Sequence, residues 1–195
     1  MLYFFSVLTQ EQPTTKEREQ SKQIAENLLI KVAQNDKEAF ADLYLQTKTA
    51  VYGFALSILR HQQSAEDVMQ DAYVKIYQSA ASYKAQGKPM AWILTIVRNL
   101  SLMKLRAQSN KEILLENPVE LKDSTSFEQK LLNQMLLQKA LEALSSEERQ
   151  VVMLHSTAGL KHREIAHLLD LPVSTVLSKY HRALSKLKTI IKEEA

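Results

Sequence analysis

The sequence predicts an all-α fold, two small helical domains joined by a flexible linker. Three observations carry that expectation. Only 3 of the 195 residues are Gly and 4 are Pro, too few for the many turns of an all-β fold. The apolar residues, 45% of the chain, recur mainly at helical spacing. A polar, acidic stretch containing Pro118 interrupts that spacing between Ala107 and Ser126. The absence of Cys excludes a disulfide scaffold, a Cys-ligated zinc site and thiol catalysis. No Gly-rich phosphate loop is present.

The elements follow in order. Residues 1–23 read as a loosely ordered N-terminal extension. The apolar start, Met1 to Leu8, is shorter than the roughly 20 residues of a spanning helix. It also lacks the basic start and small-residue cleavage site of a signal peptide. No membrane insertion is therefore expected, and the expected location is the cytoplasm. Ile24 to Ala33 forms a first helix, and Asp36 to Leu59 a second with Phe40, Leu43, Tyr44, Val51 and Phe54 as core candidates. Ser64 and Asp67 fit a capping box that starts a helix running to about Ala80. Its core face is Met69, Ala72, Tyr73, Ile76 and Ala80. Tyr83 to Pro89 is a loop, and Met90 to Arg106 a helix burying Ile93, Ile96, Val97, Leu100 and Met103. The N-terminal domain thus spans 24–106, the linker 107–126 and the C-terminal domain 127–195. In the latter, Phe127 to Leu144 is helical, and Ser145 with Glu148 caps a helix to about Ser156. Lys161 to Leu169 and Ser174 to Glu193 complete it.

Charge is segregated. The net charge of +3 conceals nets of −3 over 1–71, −4 over 112–150 and +3 over 151–195. Residues 72–111 carry seven Lys/Arg and no acid. Single charged faces are usually just solvated, but two basic blocks separated by an acidic one suit a polyanion at two surfaces.

The second basic block contains a helix-turn-helix pattern. Ile165, Leu168 and Leu169 form the buried face of its first helix, the small Ala166 lets a second helix cross it closely, and Asp170 to Val173 form the turn. Asp170 stands where a left-handed residue is needed, and Asp tolerates that conformation better than most residues. Ser174 or Thr175 can cap the second helix. Val176, Tyr180, Ala183, Leu184, Leu187 and Ile191 form its apolar stripe. Thr175, Ser178, Lys179, Arg182 and Lys186 lie opposite, and Ser174 to Lys192 holds five basic residues and no acid. Such a helix fits the major groove, reading bases with its N-terminal residues and holding phosphates with later cations.

The first basic block contains a different pattern. Thr95, Asn99, Leu102 and Arg106 project together from one helix, with Trp92 at their edge and Arg98 and Lys104 nearby. The preceding loop carries Tyr83, Lys84 and Lys88. Aromatic rings interleaved with cations suit unstacked bases, since rings stack while cations hold phosphates. The preceding helix bears a mainly polar stripe, Asp67, Gln70, Asp71, Val74 and Gln78, suited to docking a protein.

The ordered set resembles the bacterial sigma factors of the extracytoplasmic-function group. Glu38 to Tyr44, Val51-Tyr52, Ile58 to Arg60, Ala65 to Asp71, Ala91 to Arg106 and Leu144 to Leu187 carry the likeness, the last with Glu164-Ile-Ala166 and Pro172 to Val176. The resemblance implies a sigma region 2-like and a sigma region 4-like domain, with core RNA polymerase and promoter DNA as partners. Asp67, Gln70, Asp71 and Val74 would then dock on polymerase. Tyr83, Lys84, Lys88, Trp92, Thr95, Arg98, Asn99 and Arg106 would capture and open the minus-ten element. Ser174, Thr175, Ser178, Lys179, His181, Arg182 and Lys186 would read the minus-thirty-five element. The resemblance also implies an anti-sigma partner, and neither cofactor nor metal.

The chain departs from the family where Gly is common, at Asp170 and Ser174, and where a basic residue is common, at Leu177. Lys179 stands where Arg is common, and Lys cannot reproduce its bidentate fork. The loop Lys84 to Pro89 lacks the family's usual hydrophobic or acidic pattern, so base choice is not carried over. A one-component regulator with an N-terminal sensor domain is the alternative; it would bind duplex tightly by itself. No enzyme is expected. His162 and His167 do not have zinc-protease spacing, and no paired carboxylates or activated nucleophile are found.

Overall fold

The computed structural model describes residues 15–109 and 142–193. Helix α1 spans Thr15–Val32, α2 Lys37–Leu59, α3 Gln62–Ser79 and α4 Pro89–Ser109, with a 3-10 turn at Ala80–Ser82. Helix α5 spans Ser146–Ser156, α6 His162–Leu169 and α7 Val173–Glu193. No strand occurs among the described residues. The first helix thus begins nine residues before the expected Ile24, inside the expected extension. Of the expected linker, Ala107 to Ser109 is helical and the remainder lies outside the described residues, as does the expected helix Phe127 to Leu144 up to residue 141.

Local chemistry sets the boundaries. Asp36 accepts the Ala39 N–H at 3.0 Å to start α2, and Arg60, at φ 55°, ends it. The expected Ser64 cap is not used. His61 caps α3 instead, its Nδ1 accepting the Ser64 N–H at 3.1 Å. Ser64 is buried one turn inside, where Gln108 donates to its hydroxyl at 3.1 Å. An imidazole nitrogen can do what a hydroxyl does at a cap, a substitution the Ser-x-x-Asp pattern does not anticipate. Ser145 caps α5 with both halves of the capping box formed by Glu148.

Helices α1 to α4 enclose Leu29, Leu43, Val51, Phe54, Ala72, Ile76, Ile93, Leu94 and Val97. In α4 the buried face is Ile93, Leu94, Val97 and Ser101, whereas Met103 is 64% exposed. The buried face differs from the expected stripe: spacings of 1, 3 and 4 keep contact at 100° per residue, and Met103 lies off that line. Phe40, Tyr44 and Tyr73 pack edge-on, with Tyr73 and Thr47 hydroxyls 2.7 Å apart. Helices α5 to α7 enclose Val151, Val152, Leu154, Leu160, Ile165, Val176, Ala183 and Leu187.

The two groups of helices share one continuous apolar core. Helix α5 lies on α2, and α6 touches α4. A Cβ placed at Gly53 would stand 2.5 Å from Met153 Cε. This explains a Gly in mid-helix, which costs about 1 kcal/mol against Ala. The missing side chain leaves the notch that Met153 of the other group fills. Arg149, also buried, donates to the Leu144 carbonyl at 2.9 Å and to the Ser57 carbonyl at 3.5 Å.

Candidate functional site

The helix-turn-helix forms as the sequence predicts. Asp170 adopts φ 57°, ψ 49°, and its N–H closes α6 on the Ala166 carbonyl. Val173 already belongs to α7, so Ser174 and Thr175 stand in its first turn rather than at its cap. Val176, Tyr180, Ala183 and Leu187 are buried, and Leu184 is half-buried. The side chain of Ile191 lies outside the described residues. Ser174, Ser178, His181, Arg182 and Lys186 are exposed along the other side, with Thr175 and Lys179 half-buried.

Three of these cations already have acidic neighbours on α5. Lys179 pairs with Glu147, and Lys186 donates to Glu148 Oε2 at 2.7 Å. Arg182 Nε lies 3.8 Å from Glu148 Oε1. Burial works to raise the Glu148 carboxyl, but hydrogen bonds from Lys186 and the Ser145 N–H prevail and hold it below the usual carboxylate range. The capping box marked Glu148 in the sequence, but not its grip on Lys186 from 38 residues away. Such long-range pairing leaves no local signal.

Beneath this face lies a histidine cluster. His155 and His162 rings stack at 4.5 Å, and Tyr180 meets both edge-on. His155 Nδ1 is 2.9 Å from the Leu160 carbonyl, while His162 Nε2 is buried without a hydrogen-bond partner. Burial first, and the charge of His181 second, hold His162 below the ordinary imidazole value.

On the other group of helices, Gln70, Asp71 and Val74 form an exposed strip of α3, with Val74 57% exposed. Asp67 sits at its end but is engaged by α4, since Lys104 Nζ donates to its Oδ2 at 2.6 Å. Hydrogen bonds from Lys104 and Gln63 hold its carboxyl below the usual range.

On α4, Thr95, Asn99 and Arg106 are exposed, with Trp92 and Arg98 half-buried. The Thr95 hydroxyl donates to the Ala91 carbonyl at 2.8 Å. Lys84 and Lys88 project from the loop. Tyr83 and Trp92 pack edge-on at 5.4 Å, against the core. The Tyr83 hydroxyl turns inward and donates to Glu26 at 2.7 Å. Burial, then this carboxylate, pushes its pKa up to about 12. The structure therefore commits the polar end of Tyr83 to the protein. Glu26 was not expected as a site residue. Its only sequence signal is an acid next to the apolar face Ala25, Leu28, Leu29 and Val32.

Among the described residues no three His, Asp or Glu side chains could together hold a metal ion, and no helix is long and apolar enough to cross a membrane.

Sigma-70 region 2 matches residues 43–111, and Sigma-70 region 4 matches residues 134–187. An ECF RNA polymerase sigma factor SigK of Mycobacterium sp. (strain KMS) is 29% identical over 174 residues, covering 84% of this chain and 89% of the relative. The protein of the same description from Mycobacterium tuberculosis (strain ATCC 25618 / H37Rv) is 26% identical over 171 residues, covering 84% and 91%. Among solved structures, CnrH in complex with the cytosolic domain of CnrY superposes with a TM-score of 0.63 at 20% identity, covering 88% of this chain and 99% of that one. The sigma factor RpoE of Bartonella quintana, solved with the anti-sigma factor NepR, gives 0.62 at 23% identity, covering 78% and 96%. These two likenesses bear on the fold.

Proposed function

The chain belongs to the sigma-70 family in its extracytoplasmic-function group, and from that premise we propose how its residues divide the work. The protein binds core RNA polymerase and directs it to promoters. Residues 24–106 act as the domain that docks on polymerase and opens the minus-ten element, and residues 127–195 as the reader of the minus-thirty-five element. The stretch between them is the linker.

The exposed strip Gln70, Asp71 and Val74, with Asp67 at its end, docks on polymerase. Lys84 and Lys88 in the loop, with Thr95, Arg98, Asn99 and Arg106 on α4, hold the minus-ten strand. Tyr83 and Trp92 supply the packed aromatic base of that surface. On α7, Ser174, Thr175 and Ser178 face base edges. Lys179, His181, Arg182 and Lys186 meet phosphates.

One observation carries this reading. The left-handed turn at Asp170 leaves the Ser174, Ser178 and Arg182 side of α7 exposed while its apolar side is buried. A helix held in that way can enter a major groove without unfolding anything. The role is regulatory, with no catalytic step of its own. An anti-sigma partner is part of the proposal, supported by the Bartonella quintana sigma factor of the same fold, which was solved with one. The one-component regulator is not favoured, because the N-terminal half matches region 2.

The test is co-migration of the purified chain with core RNA polymerase at moderate salt. Stable binding by the wild type, lost in Asp67→Ala/Asp71→Ala, is the expected result. Tight duplex binding by the chain alone, with no polymerase binding, would overturn the proposal in favour of the one-component regulator.

A further inference from the structure

Glu26 lies in α1 at 8% exposure, beside the residues that pack α1 onto the core. Burying a carboxylate is unfavourable unless charge-assisted hydrogen bonds compensate it. The compensation here comes from the loop between the 3-10 turn and α4. The Tyr83 hydroxyl donates to Glu26 Oε1 at 2.7 Å, and the Gly87 N–H donates to the same oxygen at 2.8 Å. One acceptor thus gathers both ends of a five-residue span. Gly87 holds φ 68°, a backbone conformation that favours Gly and that turns its N–H inward. Lys84, Ala85, Gln86 and Lys88 remain exposed. The loop is therefore fixed at its base and presented at its rim. The Tyr83 ring also braces Trp92 on α4, so the same anchor sets the loop against the helix.

We propose that Glu26 is a positioning residue for promoter opening: by tying Tyr83 and Gly87 to one carboxylate it fixes the shape of the loop, and so the base preference at the minus-ten element. This rests on the reading that loop 83–89 captures that strand. A loop held in its binding shape loses less conformational freedom when a base enters. Released, it accommodates several bases with similar cost. Selectivity falls, while the polymerase-docking strip on α3 is untouched.

The experiment uses holoenzyme reconstituted from core RNA polymerase and the full-length chain. Transcripts are sequenced from a template library randomised across the minus-ten and minus-thirty-five positions. Glu26→Ala removes both anchoring hydrogen bonds and is expected to flatten the minus-ten base preference by at least roughly tenfold, since even one hydrogen bond to a charged acceptor accounts for that much. The minus-thirty-five preference and core affinity stay at wild-type levels. Glu26→Gln keeps an acceptor oxygen at the same reach and is expected to restore selectivity to within about twofold. Tyr83→Phe keeps the ring but removes one donor, and should fall between them. It carries the same readout if Glu26→Ala does not fold.

Unchanged minus-ten selectivity in Glu26→Ala and Tyr83→Phe overturns the proposal. So does an equal loss at both elements, which marks Glu26 as a general support of the fold. Lys84→Ala/Lys88→Ala separates the two levels of the argument. If this pair alters minus-ten use and Glu26→Ala does not, the anchor fails while the loop stands as reader. If the pair leaves minus-ten use unchanged, the loop is not the reader and both fail.

Discussion

Lys186 donates to Glu148 across 2.7 Å, and the same carboxyl oxygen accepts the Ser145 N–H at 2.9 Å. One buried acid therefore closes the start of α5 and secures the middle of α7. Glu148→Ala should lower the unfolding free energy by about 2 kcal/mol, the range of a lost cap plus a buried charged acceptor. Glu148→Gln should lose less, because an amide oxygen still caps. The sign with pH follows from the depressed carboxyl. Its stabilisation is complete above the unfolded carboxylate range and is lost as pH falls through the lower folded value. Urea unfolding in a pH series should show wild type and Glu148→Gln converging in acid. A constant gap down to the lowest pH would remove the charge from this account.

His162 acts with the same sign at a higher pH. It is stacked on His155, faces Tyr180 and feels His181, and it is held neutral by burial. Its folded pKa lies below the unfolded value, so its neutral form stabilises above about pH 6.5, and that contribution declines as pH drops further. The melting temperature should therefore fall on mild acidification, and His162→Phe should flatten the fall. A slope that survives the substitution assigns it to other groups.

Gly53 and Met153 make a steric prediction. Gly53→Ala meets only the flexible end of Met153, so the helix gain of about 1 kcal/mol should largely offset the repacking. Gly53→Leu cannot be accommodated in this way. It should force α5 off α2, read as a larger radius of gyration in X-ray scattering with helical content kept. Met153→Ala in the same chain should restore the smaller radius; failure to do so would show that this contact does not set the packing.

The proposed DNA contacts predict distinct losses. Arg182→Ala should reduce the salt slope of holoenzyme binding to promoter DNA by about 1, as one phosphate contact is removed. An unchanged slope takes Arg182 out of that role. Asn99→Ala should impair promoter melting, followed by permanganate reactivity, with polymerase binding kept. If polymerase binding falls as well, Asn99 supports the fold instead.

Much of this was legible because it is local. The helical stripe of α7, the turn at Asp170 and the Ser145–Glu148 box each lie within a few residues of sequence. What was not legible joins distant positions. Nothing near Gly53 announces Met153, and nothing near Glu26 announces Gly87. The start of α3 differs from the expectation because His61 takes a role that Ser64 equally fits. Met103 fits a core position by spacing alone because the closely spaced apolar residues of α4 satisfy two neighbouring stripes, and only tertiary packing chooses between them.

The shared core between the two helix groups carries a cost in reach. By their names, the minus-ten and minus-thirty-five elements are centred about 25 base pairs apart, roughly 85 Å of duplex at 3.4 Å per pair. Helix α4 touches α6, and α6 touches α7. Packed helices have axes about 8–10 Å apart, so the two proposed reading helices lie within a few tens of ångströms. A molecule of that span cannot sit on both elements at once. On the proposed assignment, Met153 must leave the Gly53 notch before the second element is engaged, and its apolar surface returns to water. The tightness of that seam thus acts as a threshold: promoter affinity is what the DNA contacts provide less what the seam withholds. A looser seam would give a more permissive initiator without altering any DNA-facing side chain.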